Sequence, residues 1–250
     1  MSPQSNPLAG KVALVTGGSR SIGAAITQKL AADGAAVAFT YASSSKQAEE
    51  LVKTIKSAGG KALAIQADNA DVAAVRNAVA ESVKAFGRLD TLANNAGTLV
   101  IKPIDDLTVE DFDRIVAVNV RGAFVATQEA VRHMRDGGRI INMGSCNSDY
   151  VPFGGGSLYA MTKSAIAGLT KGWARDLGPR GITVVNVQPG PTNTDMNPDS
   201  GEFAKQAKSY TALQRYAQPD EIANFVAWLA SPAASYVTGA GLRIDGGYAA

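Results

Sequence analysis

The feature that most restricts what this chain can fold into is an end-to-end alternation of short, apolar, β-branched runs with longer segments of helical spacing. Lys11–Thr16 (KVALVT) is the first such run, and Gly17–Asp33 opens on glycines before taking up helical spacing, so a strand, a tight turn and a helix are expected. Ala35–Tyr41 is a second strand, Ser44–Ser57 a helix, Ala62–Ala67 a third strand, Asp71–Phe86 a helix and Leu89–Ala93 a fourth strand. After the turn Asn94-Asn95-Ala96-Gly97, Thr108 with Asp111 makes a capped start for a helix that runs towards Met134 and is stopped by Asp136-Gly137-Gly138. Arg139–Met143 is a fifth strand. The helix that carries Tyr159 and Lys163 ends near Gly178-Pro179, Ile182–Val187 is a sixth strand, Pro219–Ala230 a helix and Gly241–Ile244 a last short strand. Between them, Gln188–Gly201 is rich in Pro, Asn, Asp and Thr and reads as an irregular loop of a length that suits a lid. Apolar strands alternating with amphipathic helices predict an α/β fold, a doubly wound parallel sheet of about seven strands with helices on both faces. No linker, repeat or low-complexity tract divides the chain, so residues 1–250 are expected to be one domain, with residues 1–9 a flexible N-terminus.

Composition excludes several functions. At 250 residues the chain can bury about three quarters of its unfolded surface. Its 46% hydrophobic and 18% charged content is that of a globular protein. A net charge of +2 with scattered Lys and Arg is no nucleic-acid footprint. One cysteine, Cys146, cannot form an internal disulfide, and with the single histidine, His133, it makes a zinc site improbable. His133 reads as a helix-end residue, where positive charge suits the helix dipole, and lies too far along the chain to pair with Cys146 as a nucleophile's base. The first ten residues lack an apolar signal core and no run reaches membrane-spanning length, so a soluble, cytoplasmic protein without metal, membrane or nucleic-acid partners is expected.

Ligands of a parallel sheet bind outside the carboxyl ends of its strands. That rule gathers Gly17, Asn95, Ser145 and Pro189-Gly190, which close strands one, four, five and six, at one edge. Tyr159 and Lys163, four apart on a helix, share a face. Alone, such a pair is ordinary helix surface; at this edge it is a candidate proton-transfer pair, in which a neighbouring ammonium is expected to lower the acidity constant of the phenol. Ser145, folded back onto it, would hydrogen-bond the same substrate oxygen. The turn Thr16-Gly17-Gly18-Ser19-Arg20-Ser21-Ile22-Gly23 stands where glycines let backbone approach a pyrophosphate at a helix N-terminus, although a tight turn without ligand has the same look. Strand two ends in Thr40-Tyr41-Ala42-Ser43 with no carboxylate to repel a 2′-phosphate, and Arg20 offers a cation, so NADP(H) is favoured and NAD(H) remains possible.

Taken together these segments resemble the short-chain dehydrogenase/reductase family over nearly the whole chain. Thr16–Gly23 is similar to its T-G-x-x-x-G-x-G turn, Asp68 to the residue near the adenine, with Asn69 beside it, and Asn94-Asn95-Ala96-Gly97 to its N-N-A-G segment. Asn119, Ser145, Tyr159 and Lys163 match the catalytic tetrad. Pro189-Gly190 with Thr192 and Thr194 matches the turn at the nicotinamide amide, and Tyr236–Gly239 with Asp245-Gly246-Gly247 the carboxyl end. Ser21 departs from the pattern, standing at the usual second glycine. Ser145 and Tyr159 are fourteen apart, one more than in many members, a spacing shared with some polyketide and naphthol reductases.

The resemblance implies a Rossmann-type fold and an NADPH-dependent carbonyl reductase similar to 3-oxoacyl-[acyl-carrier-protein] reductases. In that scheme Tyr159 is the general acid, Lys163 lowers its pKa and holds the ribose, Ser145 polarises the carbonyl and Asn119 positions a water. An NAD(P)-dependent alcohol or sugar dehydrogenase is the alternative within the class, and a catalytically silent dinucleotide-sensing regulator the alternative outside it. An acidic acyl carrier would need a basic patch near the cleft, for which Arg132, Arg135, Lys171, Arg175 and Arg180 are candidates, though they read equally as solvated helix charges. Tyr150, Val151, Phe153, Met196 and Phe203 are available to line a cleft for an apolar ketone. A homotetramer is implied by the resemblance, through helices near residues 108–134 and 157–178.

Overall fold

A computed structural model of the protein describes residues 6–250. Seven parallel strands make one sheet: β1 (Val12–Val15), β2 (Ala36–Tyr41), β3 (Lys61–Gln66), β4 (Leu89–Asn94), β5 (Met134–Met143), β6 (Thr183–Pro189) and β7 (Gly241–Ile244). Their spatial order is β3-β2-β1-β4-β5-β6-β7, so the winding reverses between β1 and β4 and leaves a crevice above those strands. Every residue of β1, β4 and β6 is buried, as befits central parallel strands covered on both faces, whereas the edge strands β3 and β7 are partly open.

Helices cover both faces. α1 (Ser21–Ala32) and α2 (Ser45–Ser57) pack on one side with α8 (Pro219–Ala230), through Ile26, Leu30, Leu51, Ile222 and Val226. On the other lie α3 (Val72–Phe86), α5 (Gly122–His133) and α6 (Ser157–Leu177), which meet Val12, Leu14, Leu92, Ile140 and Val184 through Val75, Val79, Val125 and Ala174. Each fully buried aliphatic side chain contributes about 1.5–3 kcal/mol, so both layers are needed to hold the sheet.

Three expectations need correction, and one element was not foreseen. The helix towards Met134 is three pieces: α4 (Val109–Val116), capped by Thr108 and Asp111 as anticipated, a π-helical turn over Ala117–Arg121, and α5. After Gly201 the chain forms a helix, α7 (Gly201–Tyr210), which the strongly polar sequence had hidden. Residues 134–138 join β5, although only Arg139–Met143 pair with β6. Residues 1–5 of the expected flexible N-terminus lie outside the described residues; beyond them Leu8 is 2% exposed, packs into the first core and donates its N–H to Asp33 O, so the chain is anchored before residue 9.

Candidate active site

The ends of β1, β4, β5 and β6 open into one cavity of about 720 Å³, lined by residues from Gly17 to Tyr248. At its dinucleotide end, Thr16 Oγ1 accepts the backbone N–H groups of Asn95 and Ala96, both at 3.0 Å, and Asn95 Nδ2 donates to the carbonyls of Thr16 and Gly17 at 3.1 and 2.9 Å. The N-N-A-G segment is thereby sewn to the glycine turn across the switch point. A Cβ on Gly23 would lie 2.1 Å from Gly17 O and 2.6 Å from Asn95 Nδ2, so a side chain there would break this seam. Ser19 Oγ meets Ser44 Oγ at 2.6 Å, which joins the turn to the end of β2, where Tyr41, Ala42 and Ser43 line the cavity.

The other anticipated dinucleotide residues, Arg20, Ser21, Ile22, Asp68, Asn69, Gly97, Pro189, Gly190, Thr192 and Thr194, line the same cavity. Asn69 has another use for its amide, which donates to Val118 O at 2.6 Å and ties the end of β3 to the π-helical turn. Thr192 Oγ1 donates to Gly190 O at 3.0 Å and shapes the turn after β6.

Three of the four proton-transfer candidates, Ser145, Tyr159 and Lys163, line the other end of the cavity, and Asn119 lies buried behind its wall. The row Asn94, Asn142 and Asn186 runs in register across β4, β5 and β6 beneath them. A Cβ on Gly144 would stand 2.3 Å from Asn186 Oδ1, so β5 needs glycine to turn over its neighbour and present Ser145. Ser145 Oγ accepts the N–H of Asn147 at 3.1 Å. Asn119, on the π-helical turn, is 3% exposed; its Oδ1 accepts from Thr98 N at 2.8 Å and its Nδ2 donates to Thr98 O at 2.9 Å and Thr162 Oγ1 at 3.1 Å. The wider turn thus carries a side chain that clamps the loop after β4 to α6, one residue before Lys163.

Lys163 is 6% exposed, its Nζ donates to Met143 O at 2.7 Å, and it lies 5.5 Å from the centre of the Tyr159 ring. The electrostatics correct the sequence expectation. Burial pushes the Tyr159 phenol up to about 12, against the opposing hydrogen bond from Ser145, and burial pulls Lys163 down to about 8. The ammonium is turned to a main-chain carbonyl at the end of β5, and desolvation by the cleft walls outweighs any acidifying effect on the phenol. Tyr159 is therefore a protonated group near neutrality, poised to donate. Burial likewise pushes the Cys146 thiol up to about 12, which removes it as a nucleophile.

The remaining wall is apolar. Phe153 and Met196 line it as anticipated, and α7 brings Phe203 edge-on to Phe153 with ring centres 5.7 Å apart. Leu99, Ile101 and Tyr248 join them without having been singled out; their position after the N-N-A-G turn and behind Asp245-Gly246-Gly247 was the available signal. Tyr150 and Val151 do not line the cavity and are 45% and 40% exposed. None of the basic residues that were candidates for a carrier site, Arg132, Arg135, Lys171, Arg175 and Arg180, lines the cavity. Arg132 closes α5 and pairs with Glu129, Arg180 binds Val131 O and Met134 O at the opposite edge of the sheet, and Lys171 and Arg175 lie on the distal half of α6. At 1.5 Å per residue, Lys171 is about 18 Å along the helix from Tyr159.

No described helix is long and apolar enough to cross a membrane, and the described residues contain no cluster of His, Cys, Asp and Glu fit to hold a metal. The family model described as enoyl-(acyl carrier protein) reductase matches residues 17–249. A short-chain dehydrogenase/reductase from Serratia marcescens is 61% identical and superimposes with a TM-score of 0.97 over 98% of this chain and 100% of its own. A short-chain dehydrogenase from Burkholderia cenocepacia, solved in complex with NADP, is 53% identical with a TM-score of 0.96 over 98% and 100% of the two chains. A cyclic-di-GMP-binding biofilm dispersal mediator protein of Escherichia coli is 45% identical over 241 residues, 96% of this chain and 98% of that protein.

Proposed function

The chain belongs to the short-chain dehydrogenase/reductase family, and from that premise we propose that it is an NADPH-dependent reductase of apolar ketones. The observation that carries the reading is the convergence of Ser145, Tyr159 and Lys163, with Asn119 clamped behind them, at the apolar end of a cavity whose other end is built as a dinucleotide cradle. The cradle fits an NADP(H) molecule: backbone and glycine at Gly17–Gly23 for the pyrophosphate, Arg20 with Ser43 for the 2′-phosphate, Asp68 beside the adenine, and Thr192 with Thr194 at the nicotinamide amide. The complex of the Burkholderia cenocepacia relative with NADP supports the choice of the phosphorylated cofactor.

When bound, the nicotinamide supplies the hydride. Ser145 donates its hydroxyl proton as a hydrogen bond to the ketone oxygen and fixes it beside Tyr159. Tyr159, kept neutral by burial, gives its proton to that oxygen as the alcohol forms. Lys163, whose ammonium is held by Met143 O, reprotonates the phenolate, a transfer eased by its lowered pKa of about 8. Asn119 positions Lys163 by clamping Thr98 to Thr162.

An apolar ketone is favoured over a carrier-bound thioester because the wall is Phe153, Met196, Phe203, Ile101 and Leu99, and Arg132, Arg135, Lys171, Arg175 and Arg180 do not line the cleft. The lone buried cysteine suits a cytoplasmic enzyme. Exposed Val109, Phe112, Phe124 and Met161 on α4, α5 and α6 suit burial in a homotetramer, which light scattering on the eluted protein tests.

Following NADPH absorbance across diketones, aryl ketones and 3-oxoacyl thioesters tests the reaction. Apolar ketones should turn over, and Tyr159→Phe should lose at least about a hundredfold in kcat while still binding cofactor. Cofactor binding with no turnover of any ketone would overturn the reductase reading. The name of the Escherichia coli relative supplies a second reading, an enzyme that also answers to a cyclic dinucleotide. A change in rate or KM on adding cyclic-di-GMP would support it.

A further inference from the structure

The loop after β6 is held differently at its base and at its tip. At the base Asp199 N donates to Asn193 Oδ1 and Tyr216 Oη to Asn197 Oδ1, each at 3.1 Å. Thr194 and Asn197 exchange backbone hydrogen bonds at 3.2 and 3.1 Å, which makes a tight turn with Asp195 and Met196 at its apex. The apex reaches back to the glycine turn. Asp195 N donates to Ser21 Oγ at 3.3 Å, and the Asp195 carboxylate stands 3.7 Å from Arg20 Nη1.

Ser21 has φ of +50°, in the left-handed region that suits glycine and strains a residue with a Cβ. A serine is therefore no aid to the turn itself, and what its side chain adds is an acceptor for the main chain of Asp195. Arg20, in turn, lines the same cavity as the end of β2, where no carboxylate guards the ribose. It already has an anionic partner. That pair is easily exchanged, because the two side chains are 60% and 64% exposed and water screens them. A phosphate with nearly two charges and three oxygens is a stronger, bidentate partner for a guanidinium than one screened carboxylate.

We propose that Asp195 is the resident counter-ion of Arg20, that the 2′-phosphate of the dinucleotide displaces it, and that this exchange loosens the Asp195–Met196 apex above the substrate cleft. Asp195 is then a specificity-determining residue for the cofactor. Met196, its neighbour at the apex, lines the substrate cavity, so arrival of the phosphorylated cofactor is coupled to the substrate wall. Ser21 is the second point of the same latch, held to the main chain and indifferent to charge. This inference rests on the NADP(H) reading.

The test uses the full-length protein and two ligands without nicotinamide, ADP-ribose and its 2′-phosphate, titrated by calorimetry. Wild type should prefer the phosphorylated ligand. Asp195→Asn should bind it about two- to fivefold more tightly, the size of one exposed ion pair, and leave ADP-ribose unchanged. With Arg20→Ala as background the same substitution should change neither. Hydrogen exchange at residues 195 and 196 of wild type should quicken with the phosphorylated ligand and not with ADP-ribose. Equal tightening of both ligands in Asp195→Asn would reveal a general charge effect and overturn the proposal. So would no tightening in a protein that still prefers the phosphate. A wild type indifferent to the 2′-phosphate would overturn the NADP(H) reading itself, and this proposal with it.

Discussion

Lys163→Met gives the sharpest physical test of the site, because it separates a buried charge from everything else in the protein. Burial lowers Lys163 from its ordinary 10.5 to about 8, so between those values the unfolded chain carries a proton that the folded chain lacks. Stability of the wild type must therefore rise with pH across that window, since folding is favoured wherever the unfolded state binds more protons. At pH 7 both states are protonated and the cost of the buried ammonium is fully present; above pH 10.5 neither is, and the cost is gone. At 1.36 kcal/mol for each tenfold change, the recovery is about 3 kcal/mol, most of it by pH 10. Loss of the hydrogen bond to Met143 O and changes in packing also alter the stability of the variant, but those effects do not depend on pH. The quantity to read is the difference in urea unfolding free energy, wild type minus Lys163→Met, followed by tryptophan fluorescence from pH 6.5 to 10 at one protein concentration. It should be flat to about pH 7.5 and then climb in favour of the wild type. A difference that stays flat throughout, or falls, would show that Lys163 is not desolvated as the structure has it, and the proton relay to Tyr159 would lose its basis.

Four further outcomes follow from the same geometry. Asn119→Ala removes three hydrogen bonds and leaves the main-chain N–H and C=O of Thr98 unpaired, while Thr162 keeps its bond to Tyr159 O, so urea unfolding should show a loss of about 2–3 kcal/mol and kcat should fall with little change in cofactor affinity. Gly23→Ala forces a methyl against Gly17 O and Asn95, and should cost about 3 kcal/mol in the same assay together with dinucleotide binding in a calorimetric titration. Cys146, buried with its thiol near 12, should resist maleimide in the native protein and react once unfolded, and Cys146→Ser should keep its activity; rapid native labelling would contradict the burial. Phe203→Ala opens the cleft where it meets Phe153 and should raise KM for aryl ketones severalfold while kcat and stability hold to within about 1 kcal/mol.

Much of the fold was legible because period and punctuation are local properties. The seven apolar runs all became strands, with ends displaced by a residue or two outside the extended start of β5, and the rule for carboxyl ends brought Gly17, Asn95, Ser145 and Gly190 to one cavity. α7 was hidden because its face rests on small residues, Ala204 and Ala207, inside a polar stretch that resembles loop. The break at Asn119 was hidden for another reason. Nothing in AVNVR forbids an α-helix, and the π turn carries Asn119 where it reaches Thr98 and Thr162 at once, partners that only the fold brings together.

The sequence by itself determined the layer order, the glycine turn, the residues of the proton-transfer group and the absence of a carboxylate at the end of β2, because each depends on residue type and spacing along the chain. Only the tertiary structure decided the charge state of that group. Proximity of Tyr159 and Lys163 on one helix suggested a phenol made more acidic, but desolvation is set by every wall around a side chain, and those walls come from β5, α6 and the loops beyond them. Only the structure set Arg20 against Asp195, two residues far apart in sequence whose meeting depends on how the loop after β6 folds back over β1.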